Sequence, residues 1–273
     1  LRQLREVGMD VDFVGEFDAE DPFASLRAHE IDMALVGLNG IASIVRGEFT
    51  AVAVLPRMEA RDVLVSLEAR VKSLSELPQG TAVGVAGPRR RALLAAHRPD
   101  LVPHELGVKF FRDMTEREGV LEYSLAAAGV EIPEMLILSA LDAQEIGLRD
   151  EAVEALDPKF WFPEPGQGAL ALVARHPIAE ATALDHLPTR TALRTELALI
   201  DAMAHHGTHT LGCLAQPSGR WIRLWAGAVS VAGDRIVRSN RTGPLDEPEG
   251  LGVAVADELL ARGYERLTPA GQS

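Results

Sequence analysis

Cysteine is nearly absent from this sequence, and long apolar segments are missing altogether. Cys213 is the one cysteine among 273 residues, which excludes an internal disulfide and indicates a reducing compartment such as the cytoplasm. No apolar run approaches the ~20 residues that a membrane-spanning helix needs, and no signal peptide is recognisable. We therefore expect a cytoplasmic protein with no membrane partner.

Positive charge is also in short supply. The 27 Lys and Arg residues face 40 Asp and Glu residues, which gives a formal net charge of -13. This excess of negative charge disfavours binding to a nucleic-acid backbone, so no nucleic-acid partner is expected. Basic residues that serve an anionic ligand must therefore be gathered in one place. The length and the 47% hydrophobic content predict two or three domains with substantial cores.

Strand and helix signals alternate over the first two thirds of the chain. We predict strands at 11–17, 32–36, 51–55, 61–66, 81–85, 108–111, 135–139 and 169–174, and helices at 23–29, 88–97 and 116–128. This alternation is typical of an α/β fold with parallel sheets, in which ligands bind at the carboxyl ends of the strands. Because such a domain seldom begins with a helix, and residues 1–7 resemble the end of one, we expect a strand to precede Leu1.

The last third of the chain has a different pattern. It predicts one long helix from Thr191, a Gly/Thr/His loop that ends at Cys213, strands at 222–231 and 235–240, and a final helix at 250–261. These elements form an α+β module of their own.

One segment, TAVGVAGPRRR at 81–91, changes directly from a buried strand into a helix. Pro88 suits the first helical turn. Arg89, Arg90 and Arg91 stand where the helix dipole is already positive, so they need an anion to offset them. We predict an anion site here. The alternative is that the three arginines pair with acidic neighbours on a solvated helix face.

Several separated segments together resemble the hydroxymethylbilane synthase family, also called the porphobilinogen deaminase family. They are GVAGPRR at 84–90, HRPDL at 97–101, PGQGA at 165–169, TALR at 191–194, and LGC at 211–213 before Pro217. The resemblance implies a monomer that joins porphobilinogen units head to tail with release of ammonia. These units carry acetate and propionate groups, and the planar guanidinium of arginine binds carboxylates well.

The resemblance also implies a domain organisation. Two α/β domains are expected to resemble the halves of a periplasmic binding protein, and a small C-terminal α+β domain to carry the Cys213 loop. The implied ranges are 1–58 with 167–187, then 59–166, and finally 188–273, with the chain returning to the first domain through the Gly-Gln-Gly hinge at 166–168. The N-terminal strand of the first domain is expected to be missing.

The resemblance assigns site roles by position. The substrate-binding residues it implies are Arg89, Arg90, Arg112, Arg117, Gln167 and Gly168. Cys213 occupies the position at which the family attaches a dipyrromethane cofactor through a thioether, which requires an accessible thiol with some thiolate character. The alternative for a lone cysteine is a small buried hydrophobic residue.

One departure from the family pattern affects catalysis. The family has Ser-Met-Lys-Asp where this chain has Gly37-Leu38-Asn39-Gly40, so the catalytic aspartate position is Gly40. Glycine cannot stabilise the cation that forms when ammonia leaves, and full polymerisation is therefore not expected. Glu164, beside the hinge, is a candidate replacement carboxylate, and its alternative is an exposed loop residue. Glu145 replaces another substrate-side arginine.

The histidines near Cys213 allow a competing interpretation. His205, His209 and Cys213 would come together as zinc ligands if the segment were helical. The intervening Gly and Thr residues favour a solvated loop, and no fourth ligand is evident, so no metal is expected. His206 could instead raise the thiolate fraction of Cys213. Trp161 and Phe162 are expected to pack in a core.

Three hypotheses follow. The first is a hydroxymethylbilane-synthase-like transferase that binds a small anionic pyrrole and keeps its attachment at Cys213. The second is a divergent relative with new chemistry in a specialised pathway. The third is a binder of a small carboxylate without catalysis. Gly40 argues against the first as a full polymerase, whereas Arg89, Arg90 and Cys213 argue against an unrelated binder.

Overall fold

The computed structural model describes residues 5–6, 8–10, 12, 23–38, 49–67, 71–107, 133–206 and 210–267. The strands in this part of the chain are β1 Met33–Gly37, β2 Thr50–Val54, β3 Asp62–Ser66, β4 Ala82–Val85, β5 Val102–Glu105, β6 Met135–Ser139, β7 Ala152–Ala155, β8 Leu170–Ala174, β9 Gly212–Ser218, β10 Trp221–Val229 and β11 Ile236–Pro244. The α-helices are α1 Ala24–Arg27, α2 Gly87–His97, α3 Ala140–Glu145, α4 Leu187–Met203 and α5 Pro248–Ala261. The strand predicted at 108–111, the helix at 116–128 and nearly all of the strand at 11–17 lie outside the described residues.

The first sheet has the order β1–β8–β2, and β8 runs antiparallel to both neighbours. The prediction of parallel sheets is therefore wrong for this sheet. After β2 the chain forms the second sheet and then returns to the first sheet. Strand β8 therefore begins at the end of the sheet at which β2 finishes, and the two strands run in opposite directions. Buried apolar side chains such as Val54 and Val173 pack with Leu26 of α1 and Leu193 of α4.

The second sheet has the order β5–β4–β6–β3–β7 and is mixed. Strand β4 is parallel to β5 and β6, as the sequence predicts, whereas β3 is antiparallel to β6 and β7. Helices α2 and α3 begin directly after the carboxyl ends of β4 and β6. Because Asp62 pairs in register with Ser139, the first residue of β3 lies at the same edge of the sheet as the carboxyl ends of β4 and β6. This carboxyl edge is the place where α/β sheets bind ligands.

The third sheet, β11–β10–β9, is antiparallel and is covered on one face by α4 and α5. Its other face packs against Phe162, which belongs to the hydrophobic core of the second sheet. A Cβ on Gly227 would lie 2.3 Å from the Phe162 ring, and a Cβ on Gly212 would lie 2.6 Å from the Phe162 carbonyl oxygen. The two units therefore pack closely because both positions are glycine.

Cys213 corrects one prediction about this last unit. The sequence places it at the end of a loop, but it is the second residue of β9 and pairs with Ala226 of β10. Residues 212–215 are all buried, and they are held by pairing with β10 and by the bond of the Cys213 amide to the Pro163 carbonyl, so the strand depends on distant contacts that the local Gly/Thr/His pattern does not indicate.

The α/β fold class predicted from the sequence is confirmed. The strands of the three sheets fall within the three predicted ranges, and the domain boundaries themselves stay predictions. Among the helices that the structure describes, none has the length and apolar character to cross a membrane.

Candidate functional site

Arg89 and Arg90 converge on one buried carboxylate, that of Asp62, which is 0% exposed. One carboxylate oxygen accepts hydrogen bonds from Arg89 Nη2 at 3.0 Å and from Trp161 Nε1 at 2.9 Å. The other accepts from Arg90 Nε at 3.0 Å and from Gln167 Nε2 at 2.9 Å. The anion that the first turn of α2 requires is therefore supplied by the protein, in a buried cluster rather than on a solvated helix face. We call these five residues the Asp62 cluster.

The Asp62 cluster strongly favours the ionised carboxylate. Burial raises the pKa of Asp62, but the charges and hydrogen bonds of Arg89 and Arg90 outweigh burial and bring this pKa to about 2. Each guanidinium also has a second protein partner. Arg89 Nη1 donates to the Phe162 carbonyl, and Arg90 Nη2 lies 3.4 Å from Gln167 Oε1. Both arginines are less than a tenth exposed, so each guanidinium mainly faces protein groups and little of it reaches solvent.

The predicted hinge residues hold the crossing between the first two sheets. Gln167 Nε2 donates to the Ala60 carbonyl at 2.8 Å, and the Gln167 carbonyl accepts from Arg57 Nε at 3.0 Å. Gly168 has a φ of +75°, and a Cβ there would lie 2.7 Å from the Glu59 carbonyl oxygen. The outgoing and returning segments therefore lie side by side, and a side chain at Gly168 would separate them.

A second buried carboxylate, Glu196 of α4, joins this crossing to the third sheet. Arg57 binds it through two nitrogens, with Nη1–Oε1 at 2.5 Å and Nη2–Oε2 at 3.2 Å. The backbone amides of Gly166 and Ala215 each donate to it at 2.8 Å. Glu196, Arg57, Gly166 and Ala215 are called the Glu196 cluster below.

Cys213 lies in the hydrophobic core of the third unit and is 0% exposed. Its backbone amide donates to the Pro163 carbonyl at 2.8 Å. Burial, followed by the negative charge of Glu196, raises the pKa of the thiol well above its usual range. This opposes the hypothesis that His206 increases the thiolate fraction, and His206 Nδ1 lies 3.1 Å from Glu265 instead.

The described residues do not fit a covalently attached dipyrromethane. The thiol of Cys213 is buried among apolar neighbours and its pKa is raised, whereas thioether formation requires access and thiolate character. Arg89 and Arg90 both already donate to Asp62 and to a second protein oxygen. Arg112, Arg117 and Gly40 lie outside the described residues.

Two more carboxylates lie beside the Asp62 cluster. Glu164, predicted as a candidate replacement acid, is half-buried, and its charge acts on both Arg89 and Arg90. Asp142 Oδ2 is 3.8 Å from Arg90 Nη2, and this side chain is 25% exposed. The two arginines thus face three carboxylates, which gives a formal net charge of -1 rather than a cationic pocket.

The zinc site considered for His205, His209 and Cys213 lies only partly within the described residues. His205 and His206 lie in a short 3-10 helix after α4, and His209 lies outside the described residues. Within the described ranges, no group of three or more His, Cys, Asp or Glu side chains could hold a metal ion.

Sequence reasoning missed Asp62, Asp142 and Glu196 as site residues. Asp62 gives the clearest signal, because a charge at the start of the apolar run Val63–Val65 must find a buried partner. Trp161 packs in the core, as predicted, and in addition its indole N–H binds Asp62.

Two solved structures are distant matches to this chain. A periplasmic substrate-binding protein of an ABC transporter from Coxiella burnetii is 14% identical, with a TM-score of 0.41 over 67% of this chain and 85% of that chain. A nutrient-binding protein from Burkholderia cenocepacia, bound to methionine, has a TM-score of 0.39 at 14% identity over 64% of this chain and 78% of that chain.

Sequence relatives match nearly the whole chain. The porphobilinogen deaminase of Deinococcus radiodurans is 31% identical over 99% of this chain and 83% of its own length. That of Stenotrophomonas maltophilia is 32% identical over 93% of this chain and 80% of its own. The family model described as "Porphobilinogen deaminase, dipyromethane cofactor binding domain" matches residues 2–183. The chain belongs to the porphobilinogen deaminase family.

Proposed function

We propose that this protein is a hydroxymethylbilane-synthase-like transferase that binds porphobilinogen or a related carboxylated pyrrole. One observation carries the proposal: the chain matches the family over nearly its whole length. Its Arg89–Arg90 pair also stands at the carboxyl edge of parallel strands β4 and β6, where α/β sheets bind ligands. This position supports a ligand at the Asp62 cluster.

The proposal does not extend to full polymerisation. Gly40 stands at the catalytic aspartate position, and the described carboxylates nearest the arginines are Asp62, Asp142 and Glu164. Asp62 accepts four hydrogen bonds from buried donors, so it has no free capacity to bind a ligand cation. We therefore expect few couplings per binding event, or reaction of a single pyrrole.

A titration of the purified protein with porphobilinogen, followed by calorimetry, tests binding, and ammonia release tests turnover. Arg90→Ala should weaken binding by about 1.5–3 kcal/mol, the range for a charge-assisted hydrogen bond. Arg91→Ala is the matched control, since Arg91 is exposed in the same helical turn. Circular dichroism checks that both variants fold. Equal affinity of folded Arg90→Ala and wild type would remove the arginine pair from the site.

Dipyrromethane attachment at Cys213 stays a prediction, and the burial of the thiol counts against it. Intact masses of the wild type and of Cys213→Ser, both expressed in cells that make porphobilinogen, decide the matter. An adduct of dipyrromethane mass in the wild type alone would establish attachment. Equal masses, after allowance for the substitution, would mean that any pyrrole is bound without a covalent link.

A non-catalytic binder is the second candidate, and the glycine at position 40 favours it. Binding of porphobilinogen without ammonia release would support this candidate over the transferase. We also propose a cytoplasmic protein, because the chain has a single cysteine, and a monomer, because the clefts of the family lie within one chain. Light scattering of the purified protein tests the monomer.

A further inference from the structure

Asp142 is held at the same edge of the second sheet as the Asp62 cluster. It lies in the first turn of α3, directly after the carboxyl end of β6, and its backbone amide donates to the buried Ser139 hydroxyl at 2.9 Å. This bond caps the helix and fixes the position of the residue. Its carboxylate points towards Arg90, at 3.8 Å from Nη2.

The Asp142 carboxylate differs from those of Asp62 and Glu105, which stand at the ends of other strands of the same sheet. Asp62 is fully buried, and each of its oxygens accepts two hydrogen bonds. Glu105 accepts a hydrogen bond from the Gly87 amide at 2.9 Å. Asp142 has its side chain 25% exposed, and at 3.8 Å its contact with Arg90 is longer than a hydrogen bond. Within the described residues, its oxygens therefore retain capacity for a donor from a ligand.

The local charge favours a cation at this position. Arg90 already pairs with Asp62 at 3.0 Å, so it only partly neutralises Asp142. With Glu164 nearby, the two arginines are outnumbered by carboxylates, and an added positive group would restore the balance. A group of one positive charge with several N–H donors can bind a carboxylate through charge-assisted hydrogen bonds, which are stronger than neutral ones.

The ligand proposed above carries such a group. A pyrrole that releases ammonia must bear an amine, and an aliphatic amine is protonated at neutral pH. We propose that Asp142 is a specificity-determining residue that binds the ammonium group of an aminomethylpyrrole at the carboxyl edge of β6. This inference rests on the proposed function and adds the group by which the ligand is selected.

Two ligands and two variants test the inference. The ligands are porphobilinogen and the same pyrrole with a methyl group in place of its aminomethyl group. Asp142→Asn keeps the shape of the side chain and removes its charge. Asp150→Asn is the matched control, because Asp150 is an exposed acid a short distance along the chain. Calorimetric titration measures the four affinities beside those of the wild type, and thermal unfolding verifies the fold.

Asp142→Asn should weaken porphobilinogen binding at least about tenfold, the effect of losing about one charge-assisted hydrogen bond. It should leave the affinity for the methyl analogue within about twofold, whereas Asp150→Asn should change neither. Equal weakening of both ligands, or of neither, would overturn the role of Asp142 while the proposed function stands. A wild type that binds neither pyrrole would overturn the proposed function, and this inference with it.

Discussion

Two buried carboxylates, Asp62 and Glu196, both bind the segment that returns to the first sheet, through Gln167 and Gly166 respectively, and they are partnered differently. Each accepts four hydrogen bonds. Glu196 has one guanidinium partner, Arg57, and two backbone amides. Asp62 has two guanidiniums, an indole and an amide side chain. The Glu196 cluster is therefore neutral, whereas Asp62 and its two arginines carry one surplus positive charge.

This difference distinguishes a structural ion pair from a binding site. The charge of Glu196 is balanced by Arg57 and its four hydrogen bonds all come from the protein, so the Glu196 cluster serves to join three segments of the fold. The surplus charge at Asp62 attracts additional carboxylates, and Asp142 and Glu164 stand beside it. We therefore expect a charged ligand to bind at the carboxyl edge of the second sheet, where it would change the net charge of the side chains around Asp62.

Removing the charge of Asp62 should have the largest effect. Asp62→Asn leaves Arg89 and Arg90 buried without a counter-charge, so we expect the free energy of unfolding to fall by about 3–5 kcal/mol. Urea unfolding measures it. Asp100→Asn is the control, because Asp100 forms a partly exposed ion pair with Arg98 and its loss should change the stability far less. Similar losses in the two variants would contradict the central role of Asp62.

Glu196→Gln should destabilise the protein less. It strands a single guanidinium, that of Arg57, whose side chain is partly exposed, and an amide can replace some of the lost hydrogen bonds. We expect a loss of about 2–3 kcal/mol in the same urea experiment. Glu249→Gln, which breaks the exposed pair with Arg194, should change little. A larger loss at Glu196 than at Asp62 would reverse the comparison.

Acid should weaken the Asp62 cluster in a defined window. The folded-state pKa of about 2 lies below the value of roughly 3.9 for an unfolded aspartate. The stability that Asp62 contributes is thus present above about pH 4 and disappears as the pH falls through about 2, with a total of about 2–3 kcal/mol. Thermal unfolding of the wild type and Asp62→Asn between these limits measures it. Parallel curves for the two proteins would show that other groups cause the loss.

Cys213 gives the smallest expected effect. Cys213→Ser places a hydroxyl in an apolar core and should cost about 1–2 kcal/mol, and a disulfide-exchange reagent should label the wild-type thiol only when urea unfolds the protein. Cys213→Ala is the control for lost volume alone. Rapid labelling of the native protein would contradict this expectation, because it would show that solvent reaches the thiol.

Much of the fold could be predicted from local signals. The strand predicted at 135–139 coincides with β6, and the helix predicted at 88–97 differs from α2 by one residue, because Gly, Pro and charged residues bound these apolar segments. Strands β5 and β7 were not predicted. Both are edge strands with exposed or half-buried positions, so they lack the apolar pattern that identifies a strand.

The site was predictable in part. Arginines in a first helical turn require an anion, and this reasoning located the Asp62 cluster, but the partner could not be identified because Asp62 and Arg89 are 27 residues apart. The motif around Cys213 predicted a reactive loop. Its burial depends on Pro163 and on the partner strand β10, which no local pattern indicates.

The position of β8 determines when the first sheet can be completed. In the described part of the chain, β1 and β2 both pair with β8 and not with each other. During synthesis the ribosome releases β1 and β2 long before β8, and every strand of the second sheet emerges in between. We therefore expect the second sheet to fold first, so that its growing core forms the template onto which the earlier strands are later assembled.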